Sequence, residues 1–380
     1  MDFDLTDEQR LLKDSVERFV ADRYDFERRK AFLAAEGGFS RENWAAFAEL
    51  GLLAVPFAEE DGGIGGGPVE TMIVMEAFGR GLVVEPYLPT VILGGGILRH
   101  AASAEQKADL IPRIAGGEIT LALAQIERGS RYDLHHVETR ARKDGESWII
   151  DGEKGVVLNG DTADTLIVVA RTAGTTRDAD GIGLFLVDAK APGVSRRGYP
   201  TQDGLRAAEI TFESARAEAA LGDPGKGLPI LARVVDEGIA AICAEAVGVM
   251  DRMRDLTVEY IKTRKQFGVP IGSFQVLQHR ASDMVVAIEQ ARSMACYATM
   301  MAAEEDAAAR GQAVSAAKVQ IGRSGRFVGQ QAIQLHGGIG MTMEYSIGHY
   351  FKRMTMIETL FGDADHHLEK VAAGESLFAA

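Results

Sequence analysis

The sequence predicts an α+β protein in three successive parts: an N-terminal α-helical domain over residues 1–118, a middle antiparallel β-barrel or sandwich over 119–222, and a C-terminal antiparallel helical bundle over 228–380. Three observations carry that prediction. The first stretch is punctuated by helix caps and by apolar residues at helical spacing. Past it the apolar period shortens to that of strands, and Asp-Gly pairs begin to recur. The last stretch holds three long helical patterns with few internal breakers.

In chain order, Thr6-Asp7-Glu8-Gln9 reads as a capping box opening a helix whose Leu12, Val16, Phe19 and Val20 share one face. A second helix follows Ser40 and stops at Gly51, and Ser103-Ala104-Glu105-Gln106 caps another that Gly116-Gly117 ends. The glycine run 62–67 follows no strand and lacks a Gly-Lys-Ser/Thr ending, so it reads as an interhelical loop and not as a phosphate loop. Short β-type runs follow at Ile119 to Gln125, Trp148 to Ile150, Thr165 to Ala170, Gly183 to Val187 and Ala208 to Phe212. Asp-Gly pairs beginning at 144, 151, 180 and 203 mark turns between them, and residues 223–227 form a linker. The long helices cover roughly 228–262, 274–309 and 312–336, with Gly311 and Gly337-Gly338 at the breaks.

Composition narrows the function. The chain has 380 residues, 46% apolar and 25% charged, as an ordinary globular protein does. A formal net charge of −14 argues against nucleic acid or an anionic membrane as main partner. Cys243 and Cys296 lie inside helical patterns and read as buried apolar residues, with no disulfide or metal framework. The acidic start, Met1-Asp2-Phe3-Asp4, lacks the features of a signal peptide, and no apolar run is long enough to span a membrane; the expected location is the cytoplasm.

The most informative stretch is the end of the last long helix, Gln334-Leu335-His336-Gly337-Gly338, where a glycine pair suits a helix C-terminus. Its counterpart is Arg264-Lys265-Gln266-Phe267-Gly268, at the end of another helix. Taken singly, Arg264 reads as a cation complementing a helix C-terminus and the glycine pair as a cap. Together, at this spacing, the two segments resemble the acyl-CoA dehydrogenase family, and the resemblance covers essentially the whole chain. It implies a C-terminal antiparallel four-helix bundle, FAD as cofactor, oxidation of an acyl-CoA thioester to the 2-enoyl-CoA, and an electron-transferring flavoprotein as acceptor. It also implies that Arg264, Phe267, Gln275, Gln334, Gly337 and Gly338 clamp the adenine and pyrophosphate end of an FAD held mainly by the neighbouring subunit.

Two departures from the family stand beside that match. Dehydrogenation needs a carboxylate beside Cα, and at the position of the family's catalytic glutamate this chain has Gly362, followed by Asp363-Ala364-Asp365. The position on the first bundle helix that some members use instead is Gly238; its neighbour Glu237 is turned from it by about 100° of helix. Glu237 and Asp363 are therefore weak candidates. The segments that contact the flavin ring in the family also differ. Ile126-Glu127-Arg128-Gly129-Ser130-Arg131-Tyr132-Asp133 and Val156-Val157-Leu158-Asn159-Gly160 lack both threonines and the tryptophan.

An intact clamp beside a missing base suggests a subunit that completes a partner's FAD site, in an oligomer with a glutamate-bearing paralogue. Within the family the chain looks most like the small subunit of two-subunit pimeloyl-CoA dehydrogenases, which implies a medium-chain or dicarboxylic acyl-CoA, with Arg128 and Arg131 as candidates for a terminal carboxylate. Three alternatives stay open: a self-sufficient homo-oligomeric dehydrogenase with a displaced carboxylate, a flavin monooxygenase in which His366 or His367 takes part, and a structural subunit without flavin chemistry.

Overall fold

The computed structural model describes residues 4–374. Helices α1 (Asp7–Arg23), α2 (Phe26–Ala34), α3 (Arg41–Glu49), α4 (Pro68–Gly81), α5 (Gly95–Ala101) and α6 (Ala104–Ala115) come first, with a π-helical turn over Leu88–Gly94. Eight strands follow: β1 (Leu121–Ala124), β2 (Arg140–Asp144), β3 (Ser147–Leu158), β4 (Thr165–Arg171), β5 (Ile182–Asp188), β6 (Val194–Pro200), β7 (Arg206–Ala217) and β8 (Ala219–Leu221). Helix α7 (Leu228–Thr263), a miniature hairpin of β9 (Lys265–Gln266) and β10 (Val269–Pro270), and helices α8 (Gln275–Met301), α9 (Ala307–His336), α10 (Ile347–Thr359) and α11 (Ala364–Ala373) complete it. The order is helical, then β, then helical.

Local chemistry accounts for many boundaries. The Thr6 and Ser103 hydroxyls accept from the Gln9 and Gln106 amides, while the glutamine side chains reach back to the cap amides, so both capping boxes form. Ser40 caps α3 in the same sense. Two expectations need correction. Gly311 lies inside α9, because Asp306 accepts from the Ala308 and Ala309 amides and starts that helix earlier. The Asp151-Gly152 pair makes no turn: Gly152 sits at a register shift inside β3, where the long strand bends against β7.

Two compact units emerge by contact, dividing within α7. One holds residues 31–67 and 84–238. Its eight-stranded sheet runs β6-β7-β3-β2-β4-β5-β8, antiparallel except where β1 and β2 meet β4. Its core includes Ile150, Leu166, Val168, Phe185, Val187, Ile210 and Phe212. Arg171, only 1% exposed, donates to six backbone carbonyls, among them those of His135, Val137 and Asp180, and so ties two loops to β4.

The other unit holds described residues 4–30, 68–83 and 239–374. Here α9 packs against α8, α10 and α11, and α1 packs against α4. Helices α4 and α7 touch backbone to backbone at Gly79 and Gly248, where an added Cβ would lie within 2.0 Å of the Glu245 carbonyl and 1.9 Å of the Glu76 carbonyl. A buried bidentate pair joins α10 to α7, with the Arg353 Nε and Nη2 donating to Glu245 at 2.5 and 2.7 Å. Of the two cysteines, Cys243 is buried as expected but Cys296 is only half-buried.

Candidate functional site

The six residues expected to clamp FAD all belong to the second of these units: Arg264 and Phe267 just past the end of α7, Gln275 at the start of α8, and Gln334, Gly337 and Gly338 at the end of α9. Helix α7 ends with the Arg264 amide donating to the Tyr260 carbonyl at 2.8 Å. The chain then forms the β9–β10 hairpin, whose two tip residues, Phe267 and Gly268, both have positive φ, as a two-residue primed turn requires. That geometry leaves Phe267 90% exposed, edge-on to Phe274 at 6.1 Å. Arg264 is exposed, and among the described residues its guanidinium has no ion pair or hydrogen bond. Gln275 opens α8, also exposed.

The α9 end supplies the other half. Gln334 is exposed, and Gly337 caps the helix at φ +62. No atom lies within 4 Å of a Cβ built on Gly337 or Gly338, so this backbone is open to close approach. Nearby in the chain, Ile339, Met341 and Met343 are exposed apolar residues, as are Val276, Val285 and Val286 along α8. Exposed apolar side chains beside a free arginine are what a binding or subunit surface presents.

The turn at the position of the absent base is different. Gly362 has φ +123, and an added Cβ would lie 2.6 Å from both His366 Cδ2 and His367 Nε2. A side chain is excluded there on both counts. Lys318, fully buried on α9, donates from Nζ to the carbonyls of Glu358 and Gly362 at 2.7 Å each. Burial pushes its ammonium down to about 8. His367 is fixed by Ser315 Oγ on one nitrogen and the Phe361 carbonyl on the other; burial, then the charges of Lys318 and Lys370, push it to about 3. Asp363 caps α11: the hydrogen bond from the His366 amide at 2.9 Å is the main reason its carboxyl lies below the usual range.

Glu237 belongs to the other unit. Burial alone would push its carboxyl up, but the His100 hydrogen bond at 2.7 Å and the charges of Arg99 and Arg233 hold it below the ordinary carboxylate value. Arg99 Nη2 donates to it at 2.6 Å. A carboxylate so held is a weak proton acceptor.

The ring segments lie in that same unit. Val156 is 40% exposed at φ +49, and Asn159 is buried at φ +59. Glu127, in the loop after β1, and Lys154, on β3, form a buried pair that the sequence did not reveal. Glu127 is 4% exposed and accepts from the amides of Glu138 and Thr139 and from Lys154 Nζ at 2.6 Å. Burial pushes Lys154 down to about 8. Glu127, His136 and Glu138 offer donor atoms within 4.8 Å of one another, but the Lys154 ammonium already neutralises Glu127. Neither Lys154 nor Lys318 stands out in the sequence, the first beside Glu153 in a polar stretch and the second a single charge in a mostly small and apolar one.

Comparison with known proteins decides the family. The acyl-CoA dehydrogenase N-terminal, middle and C-terminal domain models match residues 6–118, 122–215 and 225–375. A probable acyl-CoA dehydrogenase of Bacillus subtilis, YngJ, is 30% identical over 99% of this chain and 100% of its own length. The chain belongs to the acyl-CoA dehydrogenase family. Among solved structures, the steroid acyl-CoA dehydrogenase Tcur3481-Tcur3483 is 30% identical, covers 96% of both chains and superposes with a TM-score of 0.87. The ChsE4-ChsE5 complex of Mycobacterium tuberculosis is 26% identical over 98% of both chains, also at a TM-score of 0.87.

This acyl-CoA dehydrogenase is thus an FAD-dependent oxidoreductase acting on acyl-CoA. Its clamp fits a dinucleotide: an uncommitted guanidinium for pyrophosphate, an exposed ring for the adenosine end, and open glycine backbone. Bound FAD supplies the hydride acceptor. Among the described residues no helix is long and apolar enough to cross a membrane.

Proposed function

We propose that this chain is the subunit of a hetero-oligomeric acyl-CoA dehydrogenase that completes an FAD site for a glutamate-bearing paralogue and carries no working base of its own. The observation that carries this reading is the tight turn at Gly362, where an added side chain meets a positive φ and two histidine rings, and where Lys318, Asp363 and His367 are already engaged. In this reading Arg264 pairs with the pyrophosphate, Phe267 packs on the adenosine end, and Gln275, Gln334 and the Gly337-Gly338 backbone hold the rest. The two-chain names of the ChsE4-ChsE5 complex and of Tcur3481-Tcur3483 support pairing of unlike subunits. The exposed apolar residues of α8 and of 339–343 suit a subunit contact.

The reaction removes a proton from Cα and a hydride from Cβ of the acyl chain. In this reading a glutamate of the paralogue would take the proton, and FAD held with the help of Arg264 and the Gly337-Gly338 backbone would supply the hydride acceptor, with an electron-transferring flavoprotein as the onward acceptor. The resemblance to pimeloyl-CoA dehydrogenase small subunits points to a medium-chain or dicarboxylic acyl-CoA. Arg128 and Arg131, both exposed on the loop after β1, are the residues we assign to a terminal carboxylate. We keep three domains, 1–118, 119–222 and 228–380, and a cytoplasmic location.

The test is a visible spectrum of the chain purified alone, followed by anaerobic addition of a medium-chain acyl-CoA. A colourless protein, or a flavin that acyl-CoA leaves oxidised until the paralogue is added, is expected. Bleaching of flavin by the chain alone overturns the proposal and returns Glu237 and Asp363 to candidacy.

A further inference from the structure

The two halves of the clamp come from helices far apart in sequence, and one aromatic cluster joins them. Tyr260 lies one helical turn before Arg264, whose amide bonds its carbonyl. His336 immediately precedes Gly337. The Tyr260 and His336 rings stack, with centroids 4.5 Å apart and planes at 27°. Tyr345, from the segment after the glycine turn, lies 5.2 Å from His336 and 6.5 Å from Tyr260. His336 is 3% exposed, and its Nδ1 lies 2.8 Å from the Ala332 carbonyl, which makes Nδ1 the protonated nitrogen and fixes the ring plane. A flat ring stacked on Tyr260 and packed at a tilt against Tyr345 couples the end of α7 to the end of α9 in one register.

We propose that His336, clustered with Tyr260 and Tyr345, is a positioning residue for FAD: it sets the Arg264 guanidinium against the Gly337-Gly338 backbone. This rests on the clamp reading above. None of the three rings has to touch the cofactor. Their contribution is the spacing between a cation on one helix end and open glycine backbone on the other, and a dinucleotide needs both at once.

The experiment measures FAD and ADP affinity of the full-length chain together with its co-expressed paralogue, by flavin fluorescence and by competition. His336→Ala is expected to weaken FAD by about tenfold, the scale of one lost ring contact. His336→Phe refills the stack and is expected to stay close to the wild type. Tyr345→Ala removes only the half-buried outer ring and keeps the test alive where His336→Ala does not fold; a loss of several-fold is expected. Arg264→Ala separates the two ideas. Wild-type affinity in Arg264→Ala sinks the clamp reading and this inference with it. Loss in Arg264→Ala with wild-type affinity in both His336→Ala and Tyr345→Ala overturns the positioning role alone. So does equal loss in His336→Ala and His336→Phe, because the stack would then not be the cause.

Discussion

The helix ends at Arg264 and Gly337 and the turn at Gly362 belong to the same unit, yet they treat their polar groups in opposite ways. At the helix ends a guanidinium without a partner among the described residues, a phenyl ring that is 90% exposed and an open glycine-pair backbone face outward. At the turn a lysine, a histidine and an aspartate are all bonded to backbone or hydroxyl groups of the chain itself. Groups left unsatisfied at a surface are available to a ligand, whereas groups satisfied internally stabilise the fold and leave nothing for chemistry. The same family inheritance has therefore been kept open in one place and closed in the other.

Four changes test that contrast, from the largest expected stability effect to the smallest. Gly362→Glu restores the family's residue type but places a side chain at φ +123 against both histidines. It should cost about 2–6 kcal/mol, from backbone strain and overpacking, and add no acyl-CoA-driven bleaching. Chemical denaturation and the bleaching assay read both effects; a stable, active variant would show that the turn is not closed. Lys318→Met removes the donor to two carbonyls and should cost about 1–3 kcal/mol. An unchanged denaturation midpoint would mean that water replaces the ammonium.

The third test is pH. His367 is pushed to about 3 in the fold against an ordinary value of 6.5. Between those values the unfolded chain binds the extra proton and the folded chain does not, so stability rises with pH across that window and is lost on acidification. The limiting slope is about 1.4 kcal/mol per pH unit. In His367→Asn this contribution to the slope should vanish; an identical pH profile in the variant would assign the acid sensitivity elsewhere. Smallest in stability is Arg264→Ala, expected within about 0.5 kcal/mol of the wild type because the side chain holds nothing internally. FAD occupancy of the co-expressed paralogue should nevertheless fall. A destabilised Arg264→Ala with full FAD occupancy would reverse the comparison.

Much of this was legible in the chain. The capping boxes at Thr6 and Ser103 and the stop before Gly337 rest on contacts within a few residues, and these can be read without the fold. That the two segments proposed as a clamp sit at helix ends was legible for the same reason, since both ends are marked by local chemistry. The absence of a glutamate at Gly362 was visible too, but not that the site is closed, since that depends on His366 and His367 folding back and on Lys318 from another helix. Glu237 was weakened as a base by its helical phase; its ion pairs with Arg99 and His100 come from a helix more than a hundred positions earlier. Gly311 misled because glycine often ends helices, while the cap at Asp306 decided the matter.

By itself, then, the sequence determined the order of helical, β and helical parts, the capped helix starts, which segments carry the motifs that resemble a dinucleotide clamp, and that the family's glutamate is missing. These depend on period, capping and residue identity, all local. Only the tertiary structure decided which charges are engaged and which are free: that Lys154 neutralises Glu127, that Lys318 closes the turn, and that the Arg264 guanidinium has no partner among the described residues. The physical reason is that the state of a polar group depends on its burial and its partners, and those come from residues far away in the chain.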